Sequence, residues 1–319
     1  MKTGAAGEQW QPAFSALLLR IAMLKGMLDN KRAVAVFVLP ALICFIGFVL
    51  LPLFFTAVYG FFDYDGIGTM RFVGLRNYIR LFSQDKYFPQ AVVNSLVLAE
   101  ASIFIQLPLS FLLALILAGG VEGEKVFRTI YFIPVVISSM VIGQLWMKIF
   151  KSDYGMLNTV IRYFSPGFEY SWLSEPKTAF LSTVVPAVWQ YIGYHMIIFY
   201  AGIKSLSADY FEAAAIEGAS KRVITFKITI PLLAPVIKTC LIFSLTGSLR
   251  SFDLIYVMTG GGPNHASEVP ATLMYSNLFR KMLYGYGSAQ AFFIVIECFI
   301  FSYIIARIFK KSEENIAVL

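Results

Sequence analysis

The chain has 319 residues, of which 58% are hydrophobic and only 14% charged, with a mean hydropathy of +0.71. A soluble domain carries roughly a quarter charged residues, so these proportions exclude one and describe a polytopic membrane protein. The net charge of +7 would suggest nucleic acid in a soluble chain, but here Lys and Arg are spread through the connections rather than gathered on one face, and membrane topology accounts for them better.

In chain order, the segment from Pro12 to Asn30 places Phe14, Leu17, Leu18, Ile21, Leu24 and Leu28 at helical spacing with Arg20 and Lys25 between them. It reads as an amphipathic helix on the inner membrane surface, within a cytoplasmic segment of residues 1–32. No small-residue cleavage pattern follows it, so a removable signal peptide is not expected. Residues 33–311 then form the membrane domain, and 312–319 a cytoplasmic tail. Six apolar runs in it are long enough to cross a hydrocarbon core of ~30 Å, which takes about 20 helical residues. They are 33–62, without charge; 91–121, carrying Glu100; 129–147, without charge; 178–203, with the neutral His195; 228–258, holding Lys238, Arg250 and Asp253; and 282–306, holding Glu297. Unpaired backbone is intolerable in lipid and the runs are too long for barrel strands, so all six are predicted helices of an all-α membrane protein.

Lys31 and Arg32 abut the first run, and Arg307, Lys310 and Lys311 follow the last. By the positive-inside rule both termini are expected in the cytoplasm, although the overall charge bias is modest. The residues 63–90, 148–177 and 259–281 are then external. Cys44, Cys240 and Cys298 each sit inside an apolar run with no close partner in sequence, which indicates neither a metal site nor a disulfide framework. His195 and His265 lack ligand partners at metal spacing, and no nucleophile-base constellation is visible, so no metal and no catalytic residue is expected.

The loop 204–230 carries the most specific signal. Ser207 is a plausible N-cap, with Asp209 and Glu212 near the positive end of a helix dipole, so a short helix should start near Ala208. Gly218 supplies a left-handed stop, Ser220 can open a second helix, and Pro231 begins the fifth span. Glu212-Ala213-Ala214 alone would suit an ordinary linking helix, since Ala and Glu are good helix formers. Together with Gly218, Phe226, Ile228, Ile230-Pro231 and Pro235, before the penultimate span, the pattern resembles the cytoplasmic coupling helix by which permease subunits of bacterial ABC importers dock onto their ATPase. Glu217 stands where that family usually has Asp.

Ser251-Phe-Asp-Leu-Ile-Tyr-Val-Met-Thr-Gly-Gly-Gly-Pro263 resembles the end of the fifth span and the following turn in carbohydrate-uptake permeases of the maltose and glycerol-3-phosphate type. Arg71 to Tyr78 and Asp85 to Ser95 resemble the same family, so the likeness runs over roughly residues 34–310. It implies six transmembrane helices of the type I ABC importer permease fold, with Glu212, Ala213, Ala214, Glu217 and Gly218 coupling to the ATPase. It also implies a second permease subunit, a dimer of ATP-binding subunits that hold ATP and Mg, an extracytoplasmic sugar-binding protein, and a carbohydrate cargo, expected to be an oligosaccharide. The chain itself would bind no cofactor or nucleic acid, have no ATPase site, and lie in the bacterial inner membrane.

Polar residues inside the spans are the candidates for a path. Gln190, Tyr191 and Tyr194 share a face of the fourth span, and Ser244, Ser248 and Ser251 recur at spacings of four and three on the fifth. By resemblance to the maltose permease these positions touch sugar; as residues they could equally be an interfacial tyrosine belt and small packing serines. Arg250 and Asp253, three apart, are expected to pair on the fifth span, lining the path, binding an acidic group or, preferably, clamping another helix. The competing class is an ion-coupled secondary transporter, which would show inverted repeats and paired carboxylates at mid-membrane; neither is visible.

Overall fold

The structure is a computed structural model that describes residues 31–316. The amphipathic segment expected over 12–30 lies outside the described residues. The chain forms two compact units, one up to Thr56 and one from Ala57 onward. In the first, the helix Lys31–Phe45 contains Pro40 and passes through a π-helical turn, Ile46–Leu50, into the helix that begins at Leu51. Phe37, Phe48 and Phe54 are exposed on it, as suits a surface whose solvent is hydrocarbon.

The second unit is built of helices with one short hairpin, in which Phe62 pairs with Phe72 and Asp63 with Arg71. Phe88–Ala118 and Tyr284–Lys310 are long and apolar enough to cross a membrane, as is Ala234–Thr259. The 27-residue helix Ala179–Ser205 would be about 40 Å long at 1.5 Å per residue. It is less apolar because Ser182, Thr183, Gln190 and His195 lie along it, all buried.

Two predicted spans are not continuous. The run 129–147, expected as one helix, is the pair Glu124–Val136 and Ser139–Ile149, bent by 96°. Pro134 lies in the last turn of the first member, and Ser138 caps the second by accepting from the Met140 N–H at 3.3 Å, so local chemistry ends one helix and starts the other. The run 228–258 comprises a π-helical turn Thr225–Thr229, the short helix Ile230–Leu232, and the helices Ala234–Leu249 and Asp253–Thr259. Pro231 and Pro235, which lack an N–H, interrupt its beginning.

The connections also carry structure. Met156–Phe164 is a helix whose buried Asn158 donates to the Ser152 and Tyr170 carbonyls, each at 2.9 Å, and accepts from the Trp172 indole at 2.7 Å. Pro270–Tyr275 packs inward, where Leu273 joins Leu81, Phe88, Ala91 and Tyr286 in one cluster. Asn94 ties the chain ahead of it, donating to the Ala266 carbonyl at 2.9 Å and the Glu268 carbonyl at 2.8 Å.

The main apolar cluster holds Leu107, Ala114 and Leu117 against Met196, Phe199 and Cys240. Cys240 is therefore a packing residue, and Cys44 is exposed. Between membrane helices such contacts act by close van der Waals fit, which favours small residues. At Gly193 a Cβ would stand 1.9 Å from the Tyr131 carbonyl oxygen of the helix Glu124–Val136. Gly193→Leu is expected to cost about 1–3 kcal/mol and to reduce the folded protein extracted in mild detergent. Gly247→Ala, whose added Cβ would meet no atom within 4 Å, should extract like the unmodified chain. Equal recovery of the two variants would show that the close approach is dispensable.

Candidate functional site

The two interrupted helices meet one cavity of about 470 Å³. The six residues singled out within the fourth and fifth spans all line it. Gln190, Tyr191 and Tyr194 come from Ala179–Ser205, Ser244 and Ser248 from Ala234–Leu249, and Ser251 from the break that follows. Their environments differ. Gln190 is 2% exposed and Tyr191 42%. Gln190 donates through Nε2 to the Ile137 carbonyl at 3.4 Å and to Ser139 Oγ at 3.3 Å, so it supports the bend while facing the cavity.

Further lining residues were not among the predicted set. Ser102 and Gln106 come from a π-helical turn inside the second long helix, Ser139 from the start of the helix after the bend, and His195 from the fourth span. The signal for the first two was present, because Ser102, Gln106 and Ser110 recur every four residues in an otherwise apolar run. His195 lies one residue beyond Tyr194 in the fourth span. Its Nδ1 lies 2.8 Å from Gln106 Nε2 and 3.2 Å from the Tyr191 carbonyl. One tautomer accepts from the amide and the other donates to the carbonyl. In either, His195 Nε2 has no partner among the described residues, and neither does Ser244 Oγ. Both residues are buried, at 3% and 5% exposed. Ser248 Oγ lies 2.9 Å from the Ser244 carbonyl and 3.0 Å from Ser102 Oγ; with one proton to give, it donates to the carbonyl and accepts from the Ser102 hydroxyl.

The expected pair of Arg250 with Asp253 does not form. Both line the cavity, yet no ion pair between them is found among the described residues. The reason is the break: Arg250 closes one helix and Asp253 opens the next, so the spacing of three residues no longer places them on one helical surface.

A second candidate surface is the loop after Ala179–Ser205. The helix Ala208–Ile216 is capped by Ser207 Oγ, which accepts from the Asp209 N–H at 3.3 Å. At its other end Gly218 has φ +74°. The Ala219 N–H donates to the Ala214 carbonyl at 2.9 Å and the Gly218 N–H to Ala215 at 3.0 Å, the paired bonds of a Schellman stop. Ser220 then caps Lys221–Ile224. No residue of Ala208–Ile216 is buried; Glu212, Ala213, Glu217 and Gly218 are exposed, Ala214 is half-buried, and Ile216 is 87% exposed. Its conformation is thus fixed by its own caps while its surface is left uncovered by the described residues.

Residues 106–314 match the family described as binding-protein-dependent transport system inner membrane component. The chain is similar to the probable ABC transporter permease protein YurN of Bacillus subtilis, at 33% identity over 90% of this chain and 99% of the relative. It is similar also to the trehalose/maltose transport system permease protein MalF of Thermococcus litoralis, at 32% identity over 86% and 93%. Its fold resembles a chain in the crystal structure of a bacterial ABC transporter involved in the import of the acidic polysaccharide alginate, with a TM-score of 0.76, 21% identity, and coverage of 91% of this chain and 99% of that one. The chain therefore belongs to the binding-protein-dependent transport system inner membrane components, and its fold is that of an ABC importer permease.

Proposed function

We propose that this permease passes a carbohydrate, an oligosaccharide, across the cytoplasmic membrane, driven by ATP hydrolysis in partner subunits. The observation that carries the reading is the pairing of a polar, aromatic-edged cavity at two helix breaks with a well-capped helix of which no residue is buried among the described residues. Tyrosine faces and hydroxyl or amide groups suit a pyranose, which presents apolar faces and a rim of hydroxyls. The trehalose/maltose relative supports the same cargo class.

In this reading the helix Ala208–Ile216 enters a cleft of the ATPase, with Glu212 and Glu217 facing basic groups and Ala213 and Ala214 keeping the surface slim. ATP and Mg bind to the ATPase dimer, and this chain makes and breaks no covalent bond. A second permease completes the path and an extracytoplasmic binding protein delivers the sugar. Both termini and the loop 204–230 lie in the cytoplasm. The cycle then requires only rigid-body motion: closure of the ATPases moves the docked helices, and the cavity changes the side to which it opens.

Gly218→Pro cannot keep φ +74°, since proline holds φ near −65°, and Glu212→Lys reverses a charge on the exposed face. Each is expected to leave the protein in the membrane, reduce ATPase co-purification, and lower uptake by about tenfold or more, a loss of 1.4 kcal/mol or greater in coupling. Normal uptake by both variants would refute the docking assignment.

Single cysteines at Ser220 and Asn264, in a chain lacking its native three, test the orientation. An impermeant thiol reagent added to intact spheroplasts should label position 264 and spare 220; the reverse pattern would invert the topology.

Tyr194→Ala removes an aromatic face and Ser248→Leu fills cavity space. Both are expected to lower sugar moved per ATP hydrolysed while the complex is recovered in normal amount. Unchanged transport in both would place the path elsewhere.

A further inference from the structure

We infer that Arg250 and Asp253 are specificity-determining residues that fit the cavity to an uncharged saccharide, each holding hydroxyl groups of the same sugar. This rests on the transport reading above and narrows its substrate class. The two side chains are the formally charged members of the cavity lining, whose remaining polar groups are neutral amides, hydroxyls and the His195 imidazole. One positive and one negative charge cancel. Both residues are exposed and neither side chain makes a hydrogen bond or an ion pair among the described residues, so both are open to a ligand, and charged groups within membrane helices commonly serve a path.

The break between Leu249 and Asp253 explains why they do not neutralise each other. It leaves a guanidinium, which can only donate, and a carboxylate, which can only accept, lining one cavity. An anionic ligand would meet Asp253 and a cationic one Arg250. A hydroxyl both donates and accepts, so adjacent hydroxyls of a neutral sugar satisfy the two groups together through charge-assisted bonds. Two other lining residues carry the same chemistry in neutral form. His195 Nε2 and Ser244 Oγ are buried without partners, and a hydroxyl matches His195 Nε2 in whichever tautomer the ring holds. Two exposed charges of opposite sign and two buried unpartnered atoms around about 470 Å³ thus fit a ligand rich in hydroxyls and without net charge.

The test uses the assembled permease and ATPase complex in nanodiscs. The probes are malto-, xylo- and cello-oligosaccharides of two to five units and oligogalacturonates of the same lengths. Direct binding is measured by equilibrium dialysis, and uptake with the loaded binding protein in proteoliposomes. The expected result is binding and uptake of neutral members only, with Arg250→Gln and Asp253→Asn each weakening binding of the best one by about tenfold or more, the usual worth of a hydrogen bond to a charged group. Arg250→Lys and Asp253→Glu should recover part of that loss, which a role confined to packing would not predict. Uptake of the galacturonates alone would overturn the inference while leaving carbohydrate transport intact. Neutral-sugar binding unchanged in both Arg250→Gln and Asp253→Asn would also overturn it, pointing to a contact with the second permease instead. Uptake of no sugar at all would remove the carbohydrate reading and this inference with it.

Discussion

Gln190 reaches from the middle of a long helix to the carbonyl of Ile137 and the hydroxyl of Ser139, where the neighbouring helical pair turns through 96°. That contact expresses the constraint on which the architecture depends. In a hydrocarbon layer a helix can be interrupted only where other protein groups or a polar cavity receive the freed backbone. Ser138 supplies the cap on one side of the bend and Gln190 an amide on the other. Close approach is secured one turn further along, where Gly193 lies against the Tyr131 carbonyl, so a side chain and a missing side chain together fix the bent pair to the fourth span.

The same constraint explains why polar residues concentrate around one space. The bend at Ile137–Ser138, the break at Arg250–Phe252 and the π-helical turn Ser102–Gln106 all border the cavity. Irregular backbone in membrane helices is frequent at functional sites because it re-aims side chains that a regular helix would point elsewhere. Around this cavity several polar groups bond within the protein, as Gln106 does with His195 and Ser248 with the Ser244 carbonyl. Others, among them the buried His195 Nε2 and Ser244 Oγ, are left to whatever occupies the space.

A short connection leads from the fourth span to the exposed short helix. The fourth-span helix ends at Ser205, and Ala208–Ile216 begins after only Leu206 and Ser207. Near that end Lys204 donates to the Ala118 carbonyl at 2.9 Å. The Tyr200 hydroxyl donates to Glu124, and the Arg128 guanidinium, 3.5 Å from Glu124, lies 4.6 Å from the centre of the Tyr200 ring. These contacts join the ends of three helices beside the loop. A displacement of the short helix would therefore reach the bent pair and the fourth span together, because packed helices shift as bodies rather than deform.

The sequence by itself determined the class of the molecule and the form of its loop. Runs of some twenty apolar residues admit only helices in lipid, and the stop at Gly218 with the caps at Ser207 and Ser220 depends on neighbours within a few residues. It also marked Gln190, Tyr191, Tyr194, Ser244, Ser248 and Ser251, since polar residues at helical spacing stand out against an apolar background. Tertiary structure decided the rest. The 96° bend was hidden because hydropathy averages over a window and passes smoothly across Ile137 and Ser138. The separation of Arg250 from Asp253 was hidden for a related reason: a spacing of three implies contact only if the helix is continuous, and continuity is decided by what surrounds the break. That Gln106 meets His195 across 89 positions, or that Asn94 holds the chain at Ala266 and Glu268, follows from packing of distant segments, which no local pattern records.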